Sequence, residues 1–168
     1  MTRMAPKRTA AWASNKTKHV AVVGGGIMGA MTAAHLLDQG AMVTLYDPNV
    51  LGQGPGASVD TGRSFRVHYG EDQTLIQMAA RSRNLWMHWE RELGRPLLHT
   101  TGKLLIEEPG DRHARDSWRA LRRLGLRADR MSKGAVSEEW PGLCTGAATV
   151  DRMGGVLDPL VILQGMQV

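Results

Sequence analysis

The stretch His19-Val-Ala-Val-Val-Gly-Gly-Gly-Ile-Met-Gly29, continued through residues 33–37 to Val43-Thr-Leu-Tyr-Asp47, decides the fold of this 168-residue chain. It contains a short apolar run typical of a β-strand, a glycine-rich turn, an amphipathic helical segment and a second apolar run that ends in an acid. A strand, a helix and a second strand in this order predict a βαβ unit with parallel strands. The fold class is therefore α/β.

The three spaced glycines and the acid have separate predicted roles. Gly24 permits a tight turn, Gly26 removes a side chain where the backbone would approach a pyrophosphate, and Gly29 allows close helix packing. We expect the helix to begin at the third glycine, with its free N–H groups facing phosphates. Asp47 follows Gly26 by 21 residues, at the position where a carboxylate can bind a ribose. Together these features predict a bound adenine dinucleotide.

Composition argues against nucleic acid or membrane as a partner. Of the 21 basic residues, five lie in the first 19 residues, which contain no acid, so the rest of the chain balances 16 basic against 16 acidic groups. A neutral body gives little support to a nucleic-acid surface. No apolar run approaches the length of a membrane-spanning helix.

The N-terminal residues and the cysteine content indicate the cellular compartment of the protein. Residues 1–18 are polar and basic and lack the apolar core of a secretory signal, so they are predicted to be a disordered leader. Cys144 is the single cysteine, which rules out an internal disulfide, and its neighbours indicate an ordinary thiol. We expect a cytoplasmic protein, with organellar import by the basic leader as the alternative.

Periodicity predicts further elements after the βαβ unit. Pro48–Gly62 is a long functional loop, and residues 71–93 form an amphipathic helix. Its apolar stripe, expected to be core, is Leu75, Met78, Ala79, Leu85, Trp86, Trp89 and Leu93. The later predictions are one or two strands in 97–107, an arginine-dense, solvated helix over 112–124, a helical turn at 137–141, strands at 147–150 and 155–157, and a helix-like run over 159–164.

The predicted sheet is incomplete. Two parallel strands are evident, the further strands of a doubly wound sheet are hard to find, and a helix-like run begins just before the last residue. We therefore expect a truncated polypeptide that is inactive by itself.

Several short motifs narrow the family. In chain order they are Gly56-Ala-Ser58, Arg63-Ser-Phe-Arg66-Val-His-Tyr69-Gly70, Ala79-Ala-Arg-Ser82, Leu85-Trp86, residues 101–106, Trp140-Pro-Gly142 and Gly155-Val-Leu157. Over residues 19–164 the chain resembles the FAD-dependent amine and amino-acid oxidoreductases of the sarcosine oxidase, D-amino-acid-oxidase-like type. The resemblance implies an N-terminal portion only: a Rossmann-type FAD-binding segment and the beginning of an inserted α+β substrate domain.

The resemblance also implies roles for particular residues. The expected FAD-binding residues are Gly24, Gly26, Ile27, Met28, Gly29, Asp47, Ser58 and Arg63. Arg63 would lie close to the flavin ring, and Arg66 would pair with a substrate carboxylate, a geometry that suits a guanidinium fork. These two arginines are the candidate catalytic residues, and no metal is expected. The chain departs from the family at Val59-Asp60 and Gly62, where a His-Gly pair and a Ser or Thr are usual.

The predicted organisation is a leader over 1–18, an FAD-binding segment over 19–80 and a mixed α/β segment over 81–168. The implied reaction oxidises the C–N bond of a small amine or amino acid by hydride transfer to flavin. Two alternatives stay open: an NAD-dependent dehydrogenase of the hydroxyacyl or hydroxyacid type, and a non-catalytic, truncated nucleotide-binding remnant. The sequence does not fix the amine, the electron acceptor or the oligomeric state.

Overall fold

The computed structural model describes residues 18–143 and 146–165, which form two compact units. Within the described ranges, the first unit comprises residues up to Thr61 together with the segment from Asp158 onward. The second unit is Gly62–Leu157. The predicted leader, apart from Lys18, and Cys144 lie outside the described residues.

The first unit contains the predicted βαβ motif. Strands β1 (His19–Val23) and β2 (Met42–Tyr46) pair in parallel, with His19 opposite Met42 and Val23 opposite Tyr46. Helix α1 (Ile27–Asp38) connects them and packs against both strands. Its contact face carries Ala30 and Ala33, both buried, whose small side chains allow a close approach. Helix α5 (Pro159–Gly165) belongs to the same unit and packs against α1.

The second unit contains two three-stranded antiparallel sheets. One has the order β3-β8-β4 and the other the order β5-β7-β6. Their strands are β3 (Arg63–Phe65), β4 (Leu98–His99), β5 (Lys103–Ile106), β6 (Ala128–Met131), β7 (Ala148–Asp151) and β8 (Gly155–Leu157). Every residue of the central strand β7 is buried. Antiparallel sheets with separate helices agree with the predicted α+β character of this part of the chain.

Three helices complete the second unit. They are α2 (Gln73–Leu93), α3 (His113–Arg123) and α4 (Lys133–Glu139). Asp72 caps α2 through a hydrogen bond from the Leu75 N–H, and Gly94 ends it with φ of 63°. Helix α3 buries its small and apolar face on β6 and β7 and leaves its arginines largely exposed. The arginine-rich face is therefore solvated, as predicted.

The inward face of α2 differs from the predicted stripe. Trp86 is buried as expected, but Leu75, Met78 and Leu85 are 42%, 62% and 47% exposed. The face turned inward carries Ile76 and Trp86, and also Glu90. One Glu90 carboxylate oxygen accepts the N–H groups of both Leu97 and Leu98 at 2.8 Å. A polar side chain that satisfies buried backbone donors thus displaces the apolar stripe from the core.

Other boundaries also differ from the predicted ones. Helix α1 begins at Ile27, with Gly26 as its N-cap residue, rather than at Gly29. Strands β3 and β6 were missed because they are short and largely polar, and they form only by pairing with distant strands. The three-part division stays a prediction; the compact units divide after Thr61 and again before Asp158, since α5 packs back on α1.

Among the described helices, none is both long enough and apolar enough to cross a membrane.

Candidate functional site

The glycine turn between β1 and α1 has the geometry that a phosphate-binding turn requires. Gly24 has φ of 101°, in the region that favours glycine, and its N–H donates to the carbonyl of Tyr46 at 2.8 Å. The first bond of the α1 ladder runs from the Ala30 N–H to the Gly26 carbonyl. The N–H groups of Ile27, Met28 and Gly29 therefore precede the ladder and lie at the positive end of the helix dipole.

Gly29 is fixed by close packing rather than by its backbone angles. A Cβ at this position would lie 1.8 Å from the carbonyl oxygen of Gly24, a contact with main chain that no side-chain rotation can relieve. The geometry matches the predicted role of the third glycine, in which the start of the helix packs tightly on the turn that leads out of β1.

Gly26 meets a different constraint. Its φ of −65° and ψ of 176° are angles that any residue adopts, so no backbone requirement selects glycine here. A Cβ would lie 3.3 Å from the Ser58 hydroxyl, so space around the turn is the relevant constraint. Ser58 Oγ itself accepts the Ile27 N–H at 3.0 Å. The structure thus brings three predicted cofactor residues, Gly26, Ile27 and Ser58, together at the N-terminus of α1.

Asp47 closes the other side of the turn. Its Oδ2 accepts the Gly25 N–H at 2.6 Å, and its Oδ1 accepts the Asn49 N–H at 2.8 Å. The hydrogen bond from Gly25, followed by that from Asn49, holds the pKa of Asp47 below its ordinary value of 3.8, so the group is a carboxylate at neutral pH. A carboxylate has about four lone-pair sites, more than these bonds use, so Asp47 can also accept from a ribose hydroxyl.

The loop after Asp47 surrounds a cleft at the N-terminus of α1. The cleft has a volume of about 180 Å³ and is lined by Gly25, Gly26, Asp47, most of residues 48–59, and Leu163. Every lining residue belongs to the first unit. The long glycine-rich loop predicted to be functional therefore forms one wall of the candidate nucleotide site.

The two candidate catalytic arginines lie in the second unit. Arg63 begins β3 and pairs with Leu157 of β8, and Arg66 follows the end of that strand. Both are exposed. The Arg66 guanidinium carbon lies 5.0 Å from the centre of the Tyr69 ring, within the range of a cation–π interaction. The roles proposed for these arginines toward flavin and substrate stay predictions.

A buried polar cluster beside Arg66 escaped the sequence analysis. Asp151, at the end of β7, is fully buried, and its Oδ2 lies 2.8 Å from the Val67 N–H and 3.1 Å from His68 Nδ1. Its Oδ1 accepts the N–H groups of Met153 and Gly154 at 2.9 and 3.1 Å. His68 and Asp151 are 83 positions apart in the sequence, so no local sequence pattern predicts their contact. The sequence offered one hint of a buried acid: Asp151 follows three residues that are typical of a strand.

The βαβ unit, the glycine turn and the terminal acid of β2 define a dinucleotide-binding protein of the Rossmann type. Comparison with protein families makes this specific: residues 19–167 match the family described as FAD-dependent oxidoreductases. The chain belongs to this family. The predicted cofactor class, FAD, is thereby confirmed, and the match does not support the NAD-dependent alternative.

Individual relatives agree with the family. The chain is 30% identical over 129 residues to monomeric sarcosine oxidase of Bacillus sp. (strain B-0618), a match over 74% of this chain and 32% of that protein. It therefore spans about a third of the length of this curated relative.

Solved structures show the same fold. L-Proline dehydrogenase from P. horikoshii matches 96% of this chain and 41% of its own, with a TM-score of 0.75 and 21% identity. Glycine oxidase from Geobacillus kaustophilus matches 89% of this chain and 44% of its own, with a TM-score of 0.71 and 22% identity. The predicted fold class and the predicted likeness to an N-terminal portion are confirmed.

The residues at the turn fit the family's cofactor. Gly24 and Gly29 provide the tight turn and the close packing, and the N-terminus of α1 provides donors for a pyrophosphate. The Ser58 hydroxyl, which can donate as well as accept, lies beside those donors. Asp47 would provide an acceptor for ribose hydroxyls, the role predicted for it.

Proposed function

We propose that the protein this chain represents oxidises the C–N bond of a small amino acid or secondary amine that carries a carboxylate. Bound FAD supplies the acceptor for the hydride equivalent. The residues of this chain hold the adenine-dinucleotide part of the cofactor and bind the substrate carboxylate. That the 168-residue chain is inactive by itself stays a prediction.

The observation that carries the proposal is the placement of Arg66. It follows β3 on a short segment, is exposed to solvent, and its guanidinium carbon lies 5.0 Å from the centre of the Tyr69 ring. A cation–π contact of this kind holds the guanidinium close to the ring. A planar fork of donors held in this way suits the bidentate binding of a carboxylate.

The names of the relatives support the same class of substrate. The relatives include a sarcosine oxidase, a proline dehydrogenase and a glycine oxidase, and each name refers to a small amino acid with a carboxylate next to the amine-bearing carbon. A cationic residue that binds a carboxylate is therefore the expected feature of a binding site for such a substrate.

Replacement of Arg66 by Lys tests the proposal in the full-length protein with bound flavin. Lysine keeps the charge but loses the bidentate fork, so the KM for N-methylglycine should rise by about tenfold, the effect of roughly 1.4 kcal/mol. The KM for N-methylethylamine, which lacks the carboxylate, should stay within about twofold, since it makes no use of the fork.

Arg119→Lys serves as the matched control. Arg119 lies on the exposed face of α3 and forms an ion pair with Asp116 at 3.5 Å. This variant should leave both KM values unchanged. Equal losses for the two amines in Arg66→Lys would assign Arg66 a structural role and contradict the proposal.

A further inference from the structure

A buried carboxylate binds the segment that carries Arg66 to the rest of the second unit. Asp151 accepts a hydrogen bond from the Val67 N–H, the residue directly after Arg66, and another from His68. Val67 is fully buried and His68 is 7% exposed. Arg66 itself is exposed. The chain therefore becomes buried at Val67, one residue after Arg66. The Asp151 carboxylate binds its backbone there.

The other oxygen of Asp151 fixes the carboxylate. It accepts the N–H groups of Met153 and Gly154, so the turn between β7 and β8 also binds the Asp151 side chain. Strand β8 in turn pairs with β3, in a register that sets Phe65 opposite Gly155. The residue before Arg66 thus pairs with β8, and the residue after it binds Asp151 at the end of β7.

The connection between β7 and β8 is closely packed. A Cβ on Gly154 would lie 3.2 Å from Asp151 Oδ2, and a Cβ on Gly155 would lie 2.0 Å from the His99 carbonyl oxygen. An added side-chain atom at either glycine would meet neighbouring atoms, so little free space surrounds this connection. The Asp151 contacts join it to the residues that directly follow Arg66.

His68 adds a second restraint. Its ring is buried between Asp151 and His113 of α3, with the two imidazole centroids 6.3 Å apart in an edge-to-face arrangement. Two residues further on, the Gly70 N–H donates to the Ser117 hydroxyl, which is also on α3. Hydrogen bonds to a buried charged acceptor are among the stronger ones in proteins.

We propose that Asp151 and His68 are positioning residues that hold the Arg66–Tyr69 segment in the conformation that binds the substrate carboxylate. This inference rests on the proposed function of Arg66. Neither residue touches the substrate; each acts through the backbone and the ring contacts of the segment. Loss of either contact frees the segment and lowers the affinity for carboxylated ligands while the chemistry of the C–N bond is unaffected.

The test uses variants of the full-length protein and two readouts. The first is the KM and kcat for N-methylglycine against N-methylethylamine. The second is equilibrium binding of acetate, followed by the NMR signal of the Arg66 side-chain Nε–H, which does not depend on turnover. In Asp151→Asn and His68→Ala we expect KM for N-methylglycine and the Kd for acetate to rise about tenfold, as for loss of one charge-assisted hydrogen bond. The kcat should change by less than about twofold, since transition-state contacts are not removed.

Rescue and control variants separate positioning from general damage. His68→Asn keeps an N–H donor near the position of Nδ1 and should restore most of the acetate affinity. Thr149→Val is the matched control, because Thr149 is equally buried on β7 and its hydroxyl donates to the Ala114 carbonyl on α3, not to the Arg66 segment. It should lower stability and leave acetate binding unchanged.

The outcomes distinguish the inference from the proposed function. If Arg66→Lys has no effect on N-methylglycine or acetate, the proposed carboxylate site is wrong, whatever Asp151 does. If Arg66→Lys weakens binding but Asp151→Asn and His68→Ala change it no more than Thr149→Val does, the positioning role alone is refuted. Failure of His68→Asn to improve on His68→Ala would also refute it.

Discussion

The carboxylate of Asp47 accepts the backbone N–H of Gly25 at 2.6 Å, which joins the end of β2 to the glycine turn after β1. The same side chain accepts the Asn49 N–H and so shapes the first residues of the following loop. In nucleotide-binding folds an acid at this position binds the ribose. Here it also binds the glycine turn and the start of the following loop.

This bond gives a pH-dependent prediction. Because the pKa of Asp47 is lowered by the Gly25 hydrogen bond and then by that of Asn49, the contact is fully present above about pH 3.8 and is lost as the pH falls through the lowered value. The Gly25 amide chemical shift should therefore titrate with a midpoint below 3.8. Asp47→Asn should abolish this titration. Asp72→Ala, which removes the side-chain cap of α2, should leave it intact; a midpoint above 3.8 would contradict the assignment.

Gly29→Ala should be strongly destabilising. The new methyl would lie 1.8 Å from the Gly24 carbonyl oxygen, so the helix and the turn must move apart. We expect a loss of about 3 kcal/mol in the free energy of unfolding, measured by denaturant titration, as for severe overpacking. The control is Gly134→Ala in α4, where the nearest atom is 3.9 Å away, and a gain of up to about 1 kcal/mol is expected from helix propensity. Similar stabilities for the two variants would mean that the turn is not tightly packed.

Gly26→Ala should separate cofactor binding from folding. Its backbone angles suit any residue and its methyl would lie 3.3 Å from Ser58 Oγ, so the fold should lose less than about 1 kcal/mol. The methyl would, however, occupy the space through which a pyrophosphate approaches the N-terminus of α1. Flavin content, read from visible absorbance of the full-length protein, should fall by about tenfold, and further for Gly26→Val. Gly142→Ala, which meets open space and lies outside the cleft, is the control, and normal flavin in Gly26→Val would contradict the cofactor site.

The parts of the fold that the sequence predicted share a physical cause. The βαβ unit is local, its strands are continuous apolar runs, and its glycines are required by contacts within about 30 residues of chain. Strand β3 and the Asp151–His68 contact arise only when residues 63–68 meet residues 151–157, so no short-range pattern reports them. The prediction of the inward face of α2 missed half-buried Glu90, which binds the N–H groups of Leu97 and Leu98, because no pattern within the helix reports those contacts.

Asp151→Asn should remove most of the acid sensitivity of the second unit. Burial alone would raise the pKa of Asp151, but the hydrogen bonds from His68, Val67 and Met153 outweigh it, so the pKa lies below 3.8. A lowered pKa means that the stabilisation is present above pH 3.8 and is lost as the pH falls through the folded value. At pH 7 the variant should lose about 3 kcal/mol, since a buried histidine and several N–H groups lose a charged acceptor. The difference from the wild type should shrink steadily below about pH 4, as denaturant titrations at a series of pH values would show. A constant difference across that range would mean that Asp151 does not titrate in the folded protein as its contacts require.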